Sequence, residues 1–248
     1  MEPMAPKPAV GWIGLGDQGL PMAAAIATAG YSLHVWARRP ASIEPLGDVL
    51  HVRHDTTRDL GAACDIVGLC VGTDDDVLQV VSSGLLDALR PGAVVVNHGT
   101  GTPDNAVRLS DVCAAAAVDV LDAPVSGGRP AAETRTLTTL VGGPEAVARR
   151  CEPVFRSSSR NVVYLGRPGS GQRAKLLNNA LLMMKQASIA ELVELASRIG
   201  SDPVRLVEAL KLGSTDSSAL TLLNAMVTPE TAEHLSTVEA EAMELFGV

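Results

Sequence analysis

The sequence predicts a doubly wound α/β domain with a mostly parallel sheet, followed by an all-α domain. Short apolar runs alternate with helix-like segments over about the first two-thirds of the chain. A G-x-G-x-x-G pattern stands at the first strand-to-helix turn. After Gly166 the alternation stops, and one long helical pattern runs from about Gln172 to Ile199. We therefore expect one domain over 1–167 and a helical domain over 168–248.

The individual elements follow from the same patterns. Apolar runs predict strands at 10–14, 32–36, 65–71, 93–97, 118–122, 137–141 and 161–165. Ala-rich windows between them predict helices at 20–29, 103–117 and 144–155, which such an alternation places on both faces of the sheet. The pattern after Gly166 predicts a helix of roughly 40 Å. Asp202 and Pro203 then provide a cap and a first position for the next helix.

Composition excludes several classes of protein. The 248 residues are 46% hydrophobic and only 2% aromatic, with a net charge of −8. This acidic balance argues against a nucleic-acid surface. No window is long and apolar enough for a membrane span, and the first residues do not resemble a signal peptide. The four cysteines show no metal-ligand spacing, which favours reduced thiols, so we expect a cytoplasmic protein with neither metal nor disulfide.

The glycine-rich turn predicts a dinucleotide site of the Rossmann type. Its first glycine permits the tight turn, its second lets the backbone approach a pyrophosphate, and its third lets the helix pack close to the strand. The free N–H groups of the helix start favour the phosphates, although Asp17 would compete with them unless it points into solvent. A turn with a merely structural role is the alternative. The predicted contacts are Gly14, Leu15, Gly16, Asp17, Gln18 and Gly19.

The end of the second predicted strand bears on the choice of cofactor. An NAD site usually has an acidic residue there for the ribose 2′-hydroxyl. This chain has Arg38 and Arg39 instead, and two guanidinium groups suit a 2′-phosphate. A solvated basic turn is the alternative interpretation. The prediction is NADP as cofactor, with NAD as the alternative.

Three further motifs, together with GLGDQGLPMA, carry a resemblance to a known family. They are VVNHGTGTP at 95–103, LDAPVSGG at 121–128 and GSGQRAKLLNN at 169–179. In this order they resemble the β-hydroxyacid dehydrogenase family, which includes 3-hydroxyisobutyrate dehydrogenases, tartronate semialdehyde reductases and glyoxylate/succinic semialdehyde reductases. The family's first domain is similar to the NAD-binding domain of 6-phosphogluconate dehydrogenase. The resemblance covers about residues 8–215.

The resemblance implies a role for each matching residue. Lys175 matches the family's catalytic acid/base, and Asn179 matches the asparagine one helical turn later. The loop Ser126, Gly127 and Gly128 would hold a substrate carboxylate. Thr100 and Val71 would line the cofactor. Without the resemblance, a lysine in an apolar helix is more often one that extends its ammonium to water.

The family's build implies that the long helix joins the two domains, with the active site in the cleft. It also implies a homodimer or homotetramer formed through the helical domain. Local departures include Gln18 in place of a usual Met and Asn97–Thr100 in place of a D-x-S-T loop. His98, within that stretch of this chain, is a structural residue or a second acid/base. The largest departure is at the end, where the chain stops at Val248 and is expected to be shorter than the family's helical domain.

The leading function is therefore an oxidoreductase that transfers hydride between NADP(H) and a small β-hydroxyacid or semialdehyde. Two alternatives remain open at this point. One is an enzyme similar to imine reductases, which share the architecture. The other is a non-catalytic dinucleotide-binding protein. Phosphogluconate dehydrogenase itself is disfavoured, because that relative has a much larger helical domain.

Overall fold

A computed structural model of the chain describes residues 7–217 and 219–221. These residues form two compact units that belong to Met1–Leu176 and Leu177–Val248. The division of the chain into functional domains at residue 168 stays a prediction. The prediction about the end of the helical domain lies outside the described residues. No helix within the described ranges is long and apolar enough to cross a membrane.

The first unit alternates strands and helices as the sequence predicts. The strands in the described residues are β1 Val10–Ile13, β2 Leu33–Trp36, β3 Val52–Arg53, β4 Ile66–Leu69, β5 Val94–Asn97, β6 Asp119–Asp122, β7 Val125–Ser126, β8 Leu137–Gly142 and β9 Ser159–Gly166. The α-helices of both units, within the described residues, are α1 Gly19–Thr28, α2 Thr57–Ala63, α3 Asp74–Val80, α4 Leu86–Ala88, α5 Pro103–Ala114, α6 Gly128–Glu133, α7 Glu145–Phe155, α8 Ser170–Arg198 and α9 Pro203–Lys211. The short strands β3 and β7 were not predicted.

The strand order confirms a doubly wound sheet. Strands β3, β2, β1, β4, β5 and β6 are neighbours in that order and are all parallel. This is the Rossmann order, in which the direction of the chain's progress reverses between β1 and β4. β8 pairs antiparallel with β6 and β7 and parallel with the edge strand β9. The loops after β1, β2, β4, β5 and β6 therefore leave the same edge of the sheet.

The two faces of the sheet are covered by different helices. On one face, Val94 and Val96 of β5 belong to a core that includes residues of α1 and α7. On the other face, Val95 belongs to a core that includes residues of α2, α3 and α5. Because both faces are buried, the central strands are nearly continuous apolar runs, which is why the sequence showed them clearly.

The second unit has a small core of its own. Val193 of α8, Val207 of α9 and Leu220 are buried together, with Ile189 and Leu210 packed against them. Asp202 caps α9 by accepting from the backbone N–H groups of Val204 and Arg205, as predicted.

Candidate active site

The glycine-rich turn packs tightly against the end of β4. Gly14 has φ +98°, and a Cβ at this position would collide with the carbonyl oxygen of Cys70. A Cβ at Gly19 would collide with the carbonyl oxygen of Gly14. Gly16 differs, because a Cβ there would meet no atom of the described residues within 4 Å. Two of the three glycines are therefore required by the fold, and Gly16 faces open space where a ligand could approach.

The start of α1 can present backbone N–H groups to such a ligand only ahead of Leu20, whose own N–H donates to the carbonyl oxygen of Gly16. Leu15 is buried beneath the turn, and Gln18 is the N-cap residue of α1. No side chain of the described residues caps this helix. A helix start with unsatisfied N–H groups and partial positive charge is suited to a pyrophosphate.

Asp17, the residue before the N-cap of α1, forms an ion pair with a residue of α6. Its side chain is 85% exposed, and Oδ1 lies 3.5 Å from Nη1 of Arg129 in α6. Arg129 also pairs with Glu133 one turn later. The carboxylate of Asp17 is thus partly neutralised by a residue next to the Ser126–Gly128 loop.

The two arginines after β2 lie on the surface beside the start of α3. Nη1 of Arg38 donates to Oδ1 of Asp76 at 3.1 Å. Asp76 is in turn held by the hydroxyl of Thr73, which donates to Oδ2 at 2.9 Å. Arg39 is exposed and has no side-chain partner within the described ranges. One guanidinium is therefore anchored, and the second is available to an anion.

The loop after β5 brings Thr100 to the same edge of the sheet. Asn97 is buried, and its Oδ1 accepts from the backbone N–H of Gly99 at 3.0 Å. A Cβ at Gly99 would lie 2.8 Å from the carbonyl oxygen of Val71, so this loop and the loop after β4 touch. Thr100 itself is exposed.

His98 is a structural residue. It is only 6% exposed, stacks on Trp12 and meets Phe155 edge-on. Its Nδ1–H donates to the carbonyl oxygen of Ala123 at 2.9 Å. Burial lowers the pKa of His98 to about 4, so the imidazole is neutral at pH 7. Of the two interpretations given by the sequence, the geometry supports the structural one.

The Ser126–Gly128 loop combines an edge strand with a helix start. Ser126 is half-buried in β7, opposite Thr138 of β8. Gly127 and Gly128 have φ +127° and +65°, a left-handed backbone that favours glycine. A Cβ at Gly127 would lie 2.5 Å from the Cβ of Ala131. The loop therefore lies close to α6, at positions whose backbone conformation and close contacts require glycine.

The start of α8 is built around two buried polar residues, Asp122 and Gln172. Asp122 is 2% exposed at the end of β6, and its carboxylate accepts from the backbone N–H groups of Gly169 at 2.8 Å and Gln172 at 2.9 Å. Burial raises the pKa of the Asp122 carboxyl, an effect that these hydrogen bonds oppose. Gln172 is fully buried, at 0% exposure, and bonds to the loop that carries Thr100.

Lys175 lies in the second turn of α8 and is half-buried. Burial lowers the pKa of its ammonium. Its Nζ has no hydrogen-bonding or ionic partner in the described part of the chain. Asn179 follows one turn later and belongs to the second unit. A desolvated lysine that is not paired internally is suited to acid/base chemistry.

Asp122 and Gln172 lie within the motifs at 121–128 and 169–179, but the sequence alone indicated no role for either residue. Asp74 was missed as well: its carboxylate accepts from the backbone N–H of Thr102 at 3.0 Å, from the Thr102 hydroxyl at 2.9 Å and from Nδ2 of Asn105 at 2.9 Å. The signal in each case is a polar residue at the end of a buried strand or at a helix start. Within the described ranges, no group of three or more His, Cys, Asp or Glu side chains could hold a metal ion.

The glycine turn, the start of α1 and the loops at one edge of a Rossmann sheet fit a nicotinamide dinucleotide. These features define the first unit as the cofactor-binding part of a dinucleotide-dependent oxidoreductase. The family model for the NAD-binding domain of 6-phosphogluconate dehydrogenase matches residues 9–166. The model described as NAD-binding of NADP-dependent 3-hydroxyisobutyrate dehydrogenase matches residues 169–242. The chain belongs to the β-hydroxyacid dehydrogenase family, which confirms the resemblance in the motifs.

Individual relatives agree with this assignment. The chain is 35% identical over 213 residues to 2-hydroxy-3-oxopropionate reductase of Escherichia coli, covering 85% of this chain and 73% of the relative. It is 34% identical over 217 residues to 3-hydroxyisobutyrate dehydrogenase of Pseudomonas aeruginosa, covering 87% and 73%. The structure of Mycobacterium tuberculosis 3-hydroxyisobutyrate dehydrogenase with L-serine matches with a TM-score of 0.81 at 22% identity, covering 96% of this chain and 94% of that one. That last likeness shows the fold alone.

Proposed function

We propose that the chain is an NADP-preferring oxidoreductase that interconverts a small β-hydroxyacid and its semialdehyde, with Lys175 as the acid/base. The observation that carries this proposal is the environment of Lys175. Its side chain is half-buried in a helix whose start is fixed to the carboxyl edge of the sheet, and burial lowers its pKa. A lysine with a lowered pKa gives up and takes back a proton closer to neutral pH than a solvated one does.

Different residues of the chain have different roles in the proposed reaction. A bound nicotinamide supplies or accepts the hydride. In reduction, the ammonium of Lys175 donates a hydrogen bond to the carbonyl oxygen and then its proton, because negative charge develops there. In oxidation, the neutral amine takes the proton of the hydroxyl. The hydroxyl of Ser126 and the N–H groups of Gly127 and Gly128 hold the carboxylate, and Asn179 hydrogen-bonds the substrate.

The names of the relatives support this class of substrate. 2-Hydroxy-3-oxopropionate and 3-hydroxyisobutyrate are both small carboxylates with an oxygen function on the carbon β to the carboxyl group. We accordingly assign a small carboxylate as the substrate.

The preference for NADP rests on the turn after β2. Trp36 ends this strand, and Ala37, Arg38 and Arg39 follow without a carboxylate. Asp76 occupies Nη1 of Arg38 and leaves its other N–H groups for a 2′-phosphate. Thr100 and Val71 are assigned to the nicotinamide ribose because their loops touch at the same edge.

Assembly and location complete the proposal. α8 has exposed apolar side chains at Leu177, Leu181 and Met184, at helical spacing. This stripe supports a homodimer or homotetramer formed through the helical domain. The cysteine thiols at Cys64, Cys113 and Cys151 are buried, and burial raises their pKa values, which suits a reducing cytoplasm.

The test compares Lys175→Ala with Lys185→Ala, an exposed lysine on the same helix. Small hydroxyacids and semialdehydes are screened with NADPH and NADH and with the oxidised cofactors. We expect Lys175→Ala to lower kcat by about 10²- to 10⁴-fold while NADPH binding, measured by fluorescence, is retained. Lys185→Ala should keep wild-type turnover. Unchanged turnover in Lys175→Ala would refute the mechanism, and equal kcat/KM for NADPH and NADH would refute the 2′-phosphate assignment.

The same assay gives a pH dependence with a definite sign. The rate of reduction should fall as pH rises through the pKa of Lys175, because the proton donor is lost. The rate of oxidation should rise over the same range, because the neutral amine is the base. Burial lowers the pKa of Lys175, so both limbs should lie at lower pH than they would for a solvated lysine. Residual activity of Lys175→Ala should lack them.

A further inference from the structure

One buried side chain ties the first turn of α8 to the loop between β5 and α5. Oε1 of Gln172 accepts from the backbone N–H of Gly101 at 2.9 Å. Its Nε2 donates to the carbonyl oxygen of Gly99 at 2.8 Å. The side chain is 0% exposed, so neither bond is replaced by water when it breaks. The two partners flank Thr100, and Gln172 therefore holds the loop on both sides of that residue.

Asp122 fixes the backbone from which Gln172 projects. The carboxylate accepts from the N–H groups of Gly169 and Gln172, which places the helix start against the end of β6. A Cβ at Gly171 would collide with the carbonyl oxygens of Leu140 and Asp122, so the glycine lets the helix approach this closely. Gln172 thus has little freedom to move relative to the sheet.

The loop around Thr100 is also held from its other side. Asp74, in the first turn of α3, accepts from the backbone N–H and the hydroxyl of Thr102. A Cβ at Gly101 would collide with Oδ1 of Asp74. The loop therefore has fixed contacts to α3 and to α8, and only the contact to α8 involves the helix that carries Lys175.

We propose that Gln172, oriented by Asp122, is a positioning residue that sets Lys175 relative to the Thr100 loop. Lys175 follows Gln172 by three residues, which is about 4.5 Å along the helix and about 60° around its axis. A shift of Gln172 is therefore passed on to Lys175 almost unchanged. Misplacement of a reacting group by about 1 Å can cost on the order of 100-fold in rate. This inference rests on the acid/base role proposed for Lys175.

The link requires a side chain that carries both a donor and an acceptor. Gln172 must donate to one backbone group and accept from another at the same time. An ionised glutamate has no donor, whereas a protonated glutamate has the same donor and acceptor pair as glutamine. A buried carboxyl has a raised pKa, so the protonated form is accessible in mildly acidic solution. Gln172→Glu is therefore a variant whose link can be broken and restored by pH.

The first experiment uses Gln172→Met, which keeps the length of the side chain and removes both hydrogen bonds. We expect kcat to fall by about 10- to 100-fold while the Kd for NADPH stays within about threefold. Hydrogen exchange of the Gly101 amide should become faster. Gln79→Met is the matched control, because Gln79 is exposed on α3, and it should behave as wild type. A kcat within about twofold of wild type in Gln172→Met would overturn the proposal.

The second experiment follows kcat of Gln172→Glu relative to wild type between about pH 8 and pH 5. The ratio should rise at least about fivefold as pH falls, because the protonated side chain restores the link. Because both proteins contain Lys175, the effect of its titration cancels in the ratio of variant kcat to wild-type kcat. The control is Gln79→Glu, whose ratio should not change with pH. A purely structural role would change the melting temperature without changing kcat of the folded protein. A ratio that stays flat and well below one would overturn the proposal, because protonation would then fail to restore turnover. Gln172→Met decides the question if the ratio stays near one, and Gln172→Glu decides it if Gln172→Met does not fold.

Hydrogen exchange separates this proposal from the proposed function. If the wild-type protein turns over no hydroxyacid or semialdehyde, the proposed function fails. The exchange rate of the Gly101 amide still reports on the link in that case. Faster exchange in Gln172→Met than in Gln79→Met supports the link, and equal exchange refutes it.

Discussion

The starts of α1 and α8 are built alike and serve different purposes. Both follow glycines at the carboxyl edge of the same sheet. At α8 the buried carboxylate of Asp122 accepts from the first N–H groups of the helix. At α1 no side chain among residues 7–217 and 219–221 does so. One helix start is thus filled by a carboxylate of the chain itself, and the other has no such internal anion among the described residues.

This difference shows what decides the use of a glycine-rich helix start. Every helix start presents unsatisfied N–H groups and partial positive charge. Where the chain supplies a carboxylate, the start becomes a rigid attachment, and α8 uses it to hold Lys175 in place. Where the chain supplies none, as at α1, the start has room for an external anion, in keeping with the pyrophosphate site proposed there. Glycine spacing does not distinguish the two, because both starts need glycine for close packing.

The largest effect is expected when the internal anion of α8 is removed. Each oxygen of the Asp122 carboxylate accepts a hydrogen bond from a different backbone N–H group. In Asp122→Asn one of these oxygens becomes an NH₂ group. Whichever way the amide is oriented, its NH₂ group then faces a backbone N–H group. We expect the free energy of unfolding to fall by about 2 to 4 kcal/mol, because buried donors lose their acceptor. Urea denaturation monitored by circular dichroism measures it.

Asp104→Asn is the control for this change. Asp104 lies in the first turn of α5 and is exposed, so its replacement removes charge near a helix start without removing a buried acceptor. Its effect should stay below about 1 kcal/mol. Equal losses in the two variants would show that Asp122 acts through its charge alone and not as a fixed acceptor.

The next effect concerns the open start of α1. Gly16→Ala adds a methyl group where the chain has no neighbour among the described residues, so the free energy of unfolding should change by less than about 1 kcal/mol. The methyl group enters the space that a pyrophosphate needs, and the Kd for NADPH should rise by about tenfold or more. Fluorescence titration and thermal unfolding measure the two quantities.

Gly14→Ala gives the contrast, because φ +98° and the nearby Cys70 carbonyl make this glycine structural. That variant should be strongly destabilised with or without cofactor. NADPH binding of Gly16→Ala at wild-type affinity would contradict the assignment of α1 as the pyrophosphate site.

The features that the sequence predicted are those that depend on local periodicity. The buried parallel strands read as apolar runs, and the cap at Asp202 and the long helix followed from residue types alone. β3 was not predicted because Val52 and Arg53 are both exposed, so this strand has no apolar run. β7 was not predicted because it is only two residues long, Val125–Ser126, and is followed by two glycines.

The connections between motifs could not be predicted. Asp122 and Gln172 are 50 positions apart, and Gln172 and Gly101 are 71 apart, so only the folded chain brings them together. His98 shows the converse. Its position in a predicted functional loop left the role of a second acid/base open. Its stacking on Trp12, its edge-on contact with Phe155 and its hydrogen bond to Ala123 depend on three other parts of the chain. Residue type predicted the candidates, and for His98 burial supports the structural interpretation.

The smallest effect concerns the carboxylate that lies near the open helix start. Asp17 would repel a bound pyrophosphate, and Arg129 partly neutralises it from 3.5 Å. In Arg129→Ala this neutralisation is lost, so the Kd for NADPH should rise by about two- to fivefold at low ionic strength and return to the wild-type value at about 0.5 M salt, since both groups are exposed. Asp17→Asn should bind NADPH at least as well as wild type, and adding Arg129→Ala to it should have no further effect. Arg149→Ala, which breaks an exposed pair with Glu145 in α7, is the control and should leave the Kd unchanged. A loss of affinity in Arg129→Ala that persists at high salt, or in the absence of the Asp17 charge, would mean that Arg129 contacts the cofactor directly and that the ion pair does not protect the start of α1.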